Sequence, residues 1–170
     1  AFVVSQHMPA GFTRSFARRL DATTLFRALE AESGMRVENG VILVAPGGAH
    51  LEFDSRAGAS LARVVPREAS ERYAPSVDRM FRSAAKHCGP DLLALVLTGM
   101  GDDGAAGAVE VKRAGGNVIA ESAETAVIFG MPQQAIRAGG VDAVVALHEM
   151  APLIESALGG PRPEKSRSAE

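Results

Sequence analysis

Apolar positions along this chain follow two rhythms that take turns. Short runs rich in Val, Ile, Leu and Ala stand at 1–5 (AFVVS), 41–45 (VILVA), 92–96 (LLALV), 117–120 (NVIA) and 143–145 (AVV). Each is short and set off by residues that favour turns, loops or helix caps, and each reads as a buried strand. Leu25 to Ala28 reads as one more. Between them lie segments with helical spacing: 11–20 with Phe12, Phe16 and Leu20; 76–87 with Val77, Met80, Phe81 and Ala84; 104–114, ended by Gly115-Gly116; 132–138; and 148–158. The alternation is broken once. Leu51–Phe53 and Leu61–Val65 flank the turn SRAGAS and predict a β-hairpin, followed by a polar connection over 66–74.

Repeated strand–helix units predict an α/β fold: a single domain with a largely parallel, doubly wound sheet, helices on both faces and a β-hairpin insertion. The domain is expected to occupy residues 1–158. The tail at 159–170, GGPRPEKSRSAE, is dominated by Gly, Pro and charge and is expected to be disordered.

In open α/β sheets, chemistry gathers where strands hand over to helices. The most informative handover is LLALVLTGMGDDGAAG at 92–107. Gly99, Gly101 and Gly104 satisfy G-x-G-x-x-G, and Glu121 closes the next strand where a ribose-binding acid would stand, so a dinucleotide site of the oxidoreductase type is one reading. Against it, Asp102 and Asp103 bring negative charge to a helix N-terminus, where a pyrophosphate needs free N–H groups and no competing anion. A carboxylate there stays ionised and can accept an imidazole N–H. The plainer alternative is that Asp103 caps its helix.

The first strand ends in the same way, at Gln6-His7-Met8-Pro9. If both strands belong to one parallel sheet, His7 and Asp103 sit on the same edge and can touch. An imidazole held by a carboxylate is the base a hydroxyl nucleophile needs, and the N–H groups around Met100 and Gly101 are natural donors to an oxyanion. The internal serines do not provide the nucleophile. Ser60 in GASLA lies in the hairpin turn, Ser5 shares a strand with no elbow, and Ser76 reads as a helix N-cap between Pro75 and Asp78. His50, His87 and His148 lack local metal-ligand spacing; His50 is read as structural and His87 as a helix C-terminal cation. Phe129-Gly130-Met131-Pro132 is either a cleft wall or a buried anchor.

Charge and composition narrow the classes. Lys and Arg number 18 against 20 Asp and Glu, a net charge of −2, with no basic block and no tryptophan, so a nucleic-acid partner has no electrostatic footprint. No apolar run reaches the roughly 20 residues of a membrane span. Cys88 is the single cysteine, compatible with a reducing cytoplasm and unable to form an intrachain disulfide. Nothing calls for a cofactor or a metal.

The segments QHMP (6–9), APGGAHL (45–51), PSVDRMFRSAA (75–85), LTGMGDDGAAG (97–107) and FGMPQQAIRAGGVD (129–142) together resemble the catalytic domain of the bacterial chemotaxis protein-glutamate methylesterases, the CheB family. The resemblance implies a serine hydrolase that removes methyl esters from glutamyl side chains on chemoreceptor cytoplasmic helices and often deamidates glutamines there. It implies that His7 and Asp103 are the histidine and aspartate of a Ser-His-Asp triad and that Met100 lies beside the oxyanion site. The family serine, in a G-x-S-x-G-G turn one strand–turn–helix unit upstream of QHMP, has no counterpart in these residues. The chain is therefore expected to be part of a longer cytoplasmic protein with a receiver domain, and inactive alone. A non-catalytic binding domain is the remaining alternative.

Overall fold

Strand alternation explains how the first half of the chain is layered. In the computed structural model, which describes residues 1–56 and 58–157, β1 (Phe2–Val4), β2 (Arg27–Glu30) and β3 (Val41–Val44) form a parallel sheet with β3 in the middle. Val4 and Glu30 both pair with Val44, so the carboxyl ends of all three strands are level. Ile42 and Val44 point to one face and meet Ala17, Phe16 and Leu20 of α1 (Phe12–Thr23). Leu43 points to the other and meets Leu51 and Ala62 of the hairpin β4 (Ala49–Arg56) and β5 (Ala59–Pro66).

The second half repeats the βα theme. β6 (Leu93–Val96), β7 (Asn117–Glu121) and β8 (Ala143–Val145) form a second parallel sheet with β7 central. Around it stand α2 (Val77–Cys88), α3 (Ala105–Arg113), α4 (Gly130–Arg137) and α5 (Leu147–Ala157). The predicted α2 stripe is buried in full: Val77, Met80, Phe81 and Ala84 are each under a tenth exposed. Three of them join Val96, Val111, Val118 and Met131 in one core, against which Val3 of β1 also packs. α3 ends as its double glycine predicts, with Gly115 at φ +86° and the Gly116 N–H returning to the Val111 carbonyl.

Three expectations are adjusted. The parallel strands divide into two hydrogen-bonded sets of three, with β1 and β6 as edges, instead of one continuous sheet. β2 begins at Arg27, two residues after the predicted Leu25, because α1 runs on to Thr23 and Leu25 is left fully exposed. The hairpin strands are eight residues each, longer than their apolar centres suggested. Among the described residues, no helix is long and apolar enough to cross a membrane. The tail expected at 159–170 lies outside the described residues.

Candidate active site

His7 is aimed by a loop that rests on glycine. Between β1 and α1 the chain passes Met8 and Pro9, and a Cβ on Gly47 would lie 2.5 Å from the Pro9 carbonyl carbon and oxygen. The Gly47 N–H donates to Thr13 Oγ1 (3.0 Å), whose hydroxyl donates to Glu30 Oε1 (2.6 Å). The APGG motif is thus the seat of the QHMP loop. Gly47→Ala is expected to cost about 1–3 kcal/mol, seen as a lower urea midpoint at unchanged slope.

The glycine turn after β6 is fixed by packing. A Cβ on Gly99 would sit 2.4 Å from Met131 Sδ, and one on Gly101, at φ +105°, would sit 2.4 Å from the Tyr73 hydroxyl. The Ile128 carbonyl accepts the Gly99 N–H (3.0 Å), and the Gly99 carbonyl accepts the Met131 N–H (2.8 Å), so the segment at 128–131 anchors the turn. At the start of α3, the Gly104 and Gly107 N–H groups both donate to Asp78 Oδ1 (3.0 and 2.6 Å). Those are donors a pyrophosphate would require. Glu121, 1% exposed, accepts the Thr98 N–H (2.7 Å) and is turned away from solvent. The dinucleotide reading of Gly99, Gly101, Gly104 and Glu121 is corrected accordingly: the pattern serves close packing and a carboxylate-capped helix.

His7 and Asp103, 96 positions apart, meet at 2.7 Å between Nε2 and Oδ2. Asp103 is 3% exposed, and its oxygens also accept the Val77 N–H (2.7 Å), the Asp78 N–H (2.9 Å) and the Ser76 hydroxyl (2.9 Å). It does not cap its own helix, whose N-cap Gly104 has no side-chain partner. It caps α2 instead, while Asp78 of α2 caps α3. The two helix starts are tied together reciprocally by two carboxylates.

Their acidities diverge. Burial pushes the Asp103 carboxyl up, but the bonds from His7, the Asp78 and Val77 N–H groups and the Ser76 hydroxyl outweigh it and hold Asp103 below the usual carboxylate range. Asp78 is shifted upward, first by burial and further by the Asp103 charge, in spite of the Gly107 and Gly104 N–H groups. With Asp103 ionised, His7 donates from Nε2, and Nδ1 is left as the basic nitrogen.

Sequence reasoning passed over Tyr73. Its ring stacks on His7 with centroids 4.9 Å apart and planes 12° from parallel. Its hydroxyl donates to Asp102 Oδ1 (3.0 Å), and Arg72 lies over the ring while its guanidinium reaches Asp102 (3.6 Å). Asp102 therefore braces the aromatic wall of His7, and Asp103 binds His7 itself. The signal for Tyr73 was its place three residues before the Ser76 cap, within a stretch that reads only as polar connection. Met100 is 78% exposed beside this wall, and the N–H groups of Met100 and Gly101 donate to no atom of the described residues.

The other candidates lie elsewhere. Ser76 caps α2 as predicted, accepting the Arg79 N–H, and its hydroxyl in addition reaches Asp103. Ser60 is a hairpin residue whose hydroxyl meets His87 Nε2 at 2.6 Å, and His87, in the last turn of α2, stacks on Phe53. His50 is completely buried against Glu71 and the Ser76 N–H. His148 is exposed at the start of α5.

The family model described as CheB methylesterase matches residues 1–154. The chain belongs to the CheB methylesterase family. A protein-glutamate methylesterase/protein-glutamine glutaminase of Geobacter sulfurreducens is 49% identical over 150 residues, covering 88% of this chain and 40% of the relative. One from Yersinia pestis is 46% identical over 151 residues, 88% of this chain and 43% of the relative. The crystal structure of the Thermotoga maritima CheB methylesterase catalytic domain superposes with a TM-score of 0.87 at 39% identity, over 91% of this chain and 82% of that one. This CheB-family chain spans about two fifths of the length of the curated relatives it matches.

Proposed function

We propose that this chain supplies the acid–base couple and the oxyanion wall of a serine-type protein-glutamate methylesterase, a carboxylic ester hydrolase that also deamidates glutamine. Its substrates are cytoplasmic helices of methyl-accepting chemoreceptors, reached in the cytoplasm. A receiver domain in the same protein would regulate access. The observation that carries this reading is the 2.7 Å bond from His7 Nε2 to an ionised Asp103, which leaves Nδ1 as the base. The names of the curated relatives support the chemistry.

Among the described residues no serine hydroxyl is hydrogen-bonded to His7, so the nucleophile is assigned to a serine turn preceding Ala1. The edges of β1 and β6 support that assignment: a parallel strand beside them would end between His7 and the Gly99–Gly101 turn. His7 Nδ1 takes the serine proton as Oγ attacks the ester carbonyl. The Met100 and Gly101 N–H groups receive the developing oxyanion. Collapse breaks the bond to the methoxy oxygen, which leaves as methanol with the proton from His7. Water then repeats the sequence on the acyl-serine and yields the glutamate carboxylate. For a glutamine side chain the leaving group is ammonia.

Leu97, Met100, Val127 and Ile128 are exposed apolar side chains on segments joined by the Thr98–Ile128 hydrogen bonds. Such a rim suits a helix that presents its methylated glutamates on a partly apolar face. The test is to place a G-x-S-x-G-G strand–turn–helix unit before Ala1 and follow methanol release from methylated receptor segments. Turnover that disappears on Ser→Ala in that turn is expected. A folded fusion that binds the segments but releases no methanol would favour a binding domain.

A further inference from the structure

His50, Glu71 and Arg79 lie behind the site and take no part in the chemistry described above. His50 sits on β4 with no exposed surface, where an imidazole needs partners at both nitrogens. Its Nδ1 accepts the Ser76 N–H (3.3 Å), and its Nε2 donates to Glu71 Oε2 (2.8 Å). Glu71 is fixed in turn. Its Oε2 accepts the Glu68 N–H (2.7 Å), and its Oε1 accepts from Arg79 Nη1 (2.6 Å), which also grips Glu52 through Nε (2.9 Å). Arg63 binds the remaining oxygen of Glu52. The Glu68 N–H holds the Glu71 carboxyl at about 2; burial works against it, and Arg79 and His50 lower it further.

This chain of contacts ends on the functional aspartate. Ser76, whose N–H His50 receives, is the residue whose hydroxyl donates to Asp103 Oδ1, and the next two N–H groups, of Val77 and Asp78, complete the Asp103 cradle. We propose that His50, backed by Glu71 and Arg79, is a positioning residue that holds the start of α2 against Asp103 and so keeps Asp103 aimed at His7. The polarity is directional. With its Nε2 proton committed to a carboxylate, His50 presents only a lone pair to Ser76, so the Ser76 backbone is pulled toward β4 and its side chain faces Asp103. The catalytic part of this inference rests on the hydrolase reading; the structural part does not.

The test uses His50→Leu, which fills the space and removes the acceptor, and His50→Asn, whose Oδ1 takes the place of Nδ1. Should the leucine form fail to fold, His50→Gln, with its oxygen one bond too far out, carries the same comparison. In the 170-residue chain, carboxyl carbon NMR is expected to show the Asp103 titration midpoint rising by about half a pH unit or more in the leucine form. The asparagine form should return it close to the parent. In the serine-extended protein, kcat is expected to fall about tenfold with KM unchanged in the leucine form, and to recover in the asparagine form. An Asp103 midpoint that stays put in the folded leucine or glutamine form would overturn the proposal. So would unchanged turnover in a variant whose midpoint has moved. Absence of turnover with His50 intact would instead count against the hydrolase reading, and the Asp103 titration would then decide the positioning role alone.

Discussion

His7→Ala in a serine-extended form of this protein is expected to lower kcat for methyl ester hydrolysis by about 10²–10⁴-fold with KM little changed. The reason is geometric. The ring lies 28% exposed between the buried Asp103 and the site, in stacked contact with Tyr73, and no second imidazole is placed to replace it. His50 is enclosed, and His87 is engaged with Ser60 on the hairpin. Removing the ring leaves the Met100 and Gly101 donors in place, so residual turnover above the uncatalysed rate is expected. Saturation kinetics of methanol release on the folded variant make the measurement. Turnover within a factor of two of the parent would show that another group takes the proton.

Asp103→Asn is expected to damage both stability and turnover. One carboxylate oxygen faces the Val77 N–H and His7, the other the Asp78 N–H and the Ser76 hydroxyl. An amide replaces one of those acceptors by a donor and sets N–H against N–H in a site 3% exposed. Hydrogen bonds to a charged group contribute about 1.5–3 kcal/mol each, and the loss of the Asp103 cradle is expected to cost about 2–4 kcal/mol in urea unfolding. With the carboxylate gone, His7 loses the acceptor that fixes its Nε2–H tautomer, and a fall of about 10⁴-fold in kcat is the scale for such a change.

The same substitution tests the pH dependence. The folded-state pKa of Asp103 is depressed, so its contribution is complete above its unfolded value near 3.9 and is lost as pH falls through the folded value. Asp103→Asn should therefore flatten the acid limb of the stability profile below about pH 4. An unchanged acid limb, measured by urea midpoints across pH, would mean that Asp103 is not held ionised by its donors.

Periodicity made much of this legible. The α2 stripe, the Ser76 cap, the double glycine after α3 and the hairpin all follow from spacing that local physics enforces. His7 and Asp103 were legible for a related reason: both follow apolar runs of parallel strands, and such strands end on one edge. What could not be read was which helix Asp103 caps. Its own helix was the natural choice, yet the Asp78 carboxylate already occupies the α3 start, and only the packing of α2 on α3 shows the exchange. Tyr73 was missed, and the contacts of Gly47 and of the structural His50 went unread, for a similar reason. Each acts across a contact between segments distant in sequence, where no local pattern marks the partner. The division into two parallel sets was also invisible, because strand patterns fix direction and burial but not which edges are joined.

The central claim, that the loop after β1 and the glycine turn after β6 assemble an imidazole held by a carboxylate, is tested most directly by the tautomer of His7. A long-range proton–nitrogen NMR spectrum of the 170-residue chain at neutral pH is predicted to show His7 protonated at Nε2 and bare at Nδ1, with that preference lost in Asp103→Asn. A His7 ring protonated at Nδ1, or a tautomer indifferent to Asp103, would contradict the account.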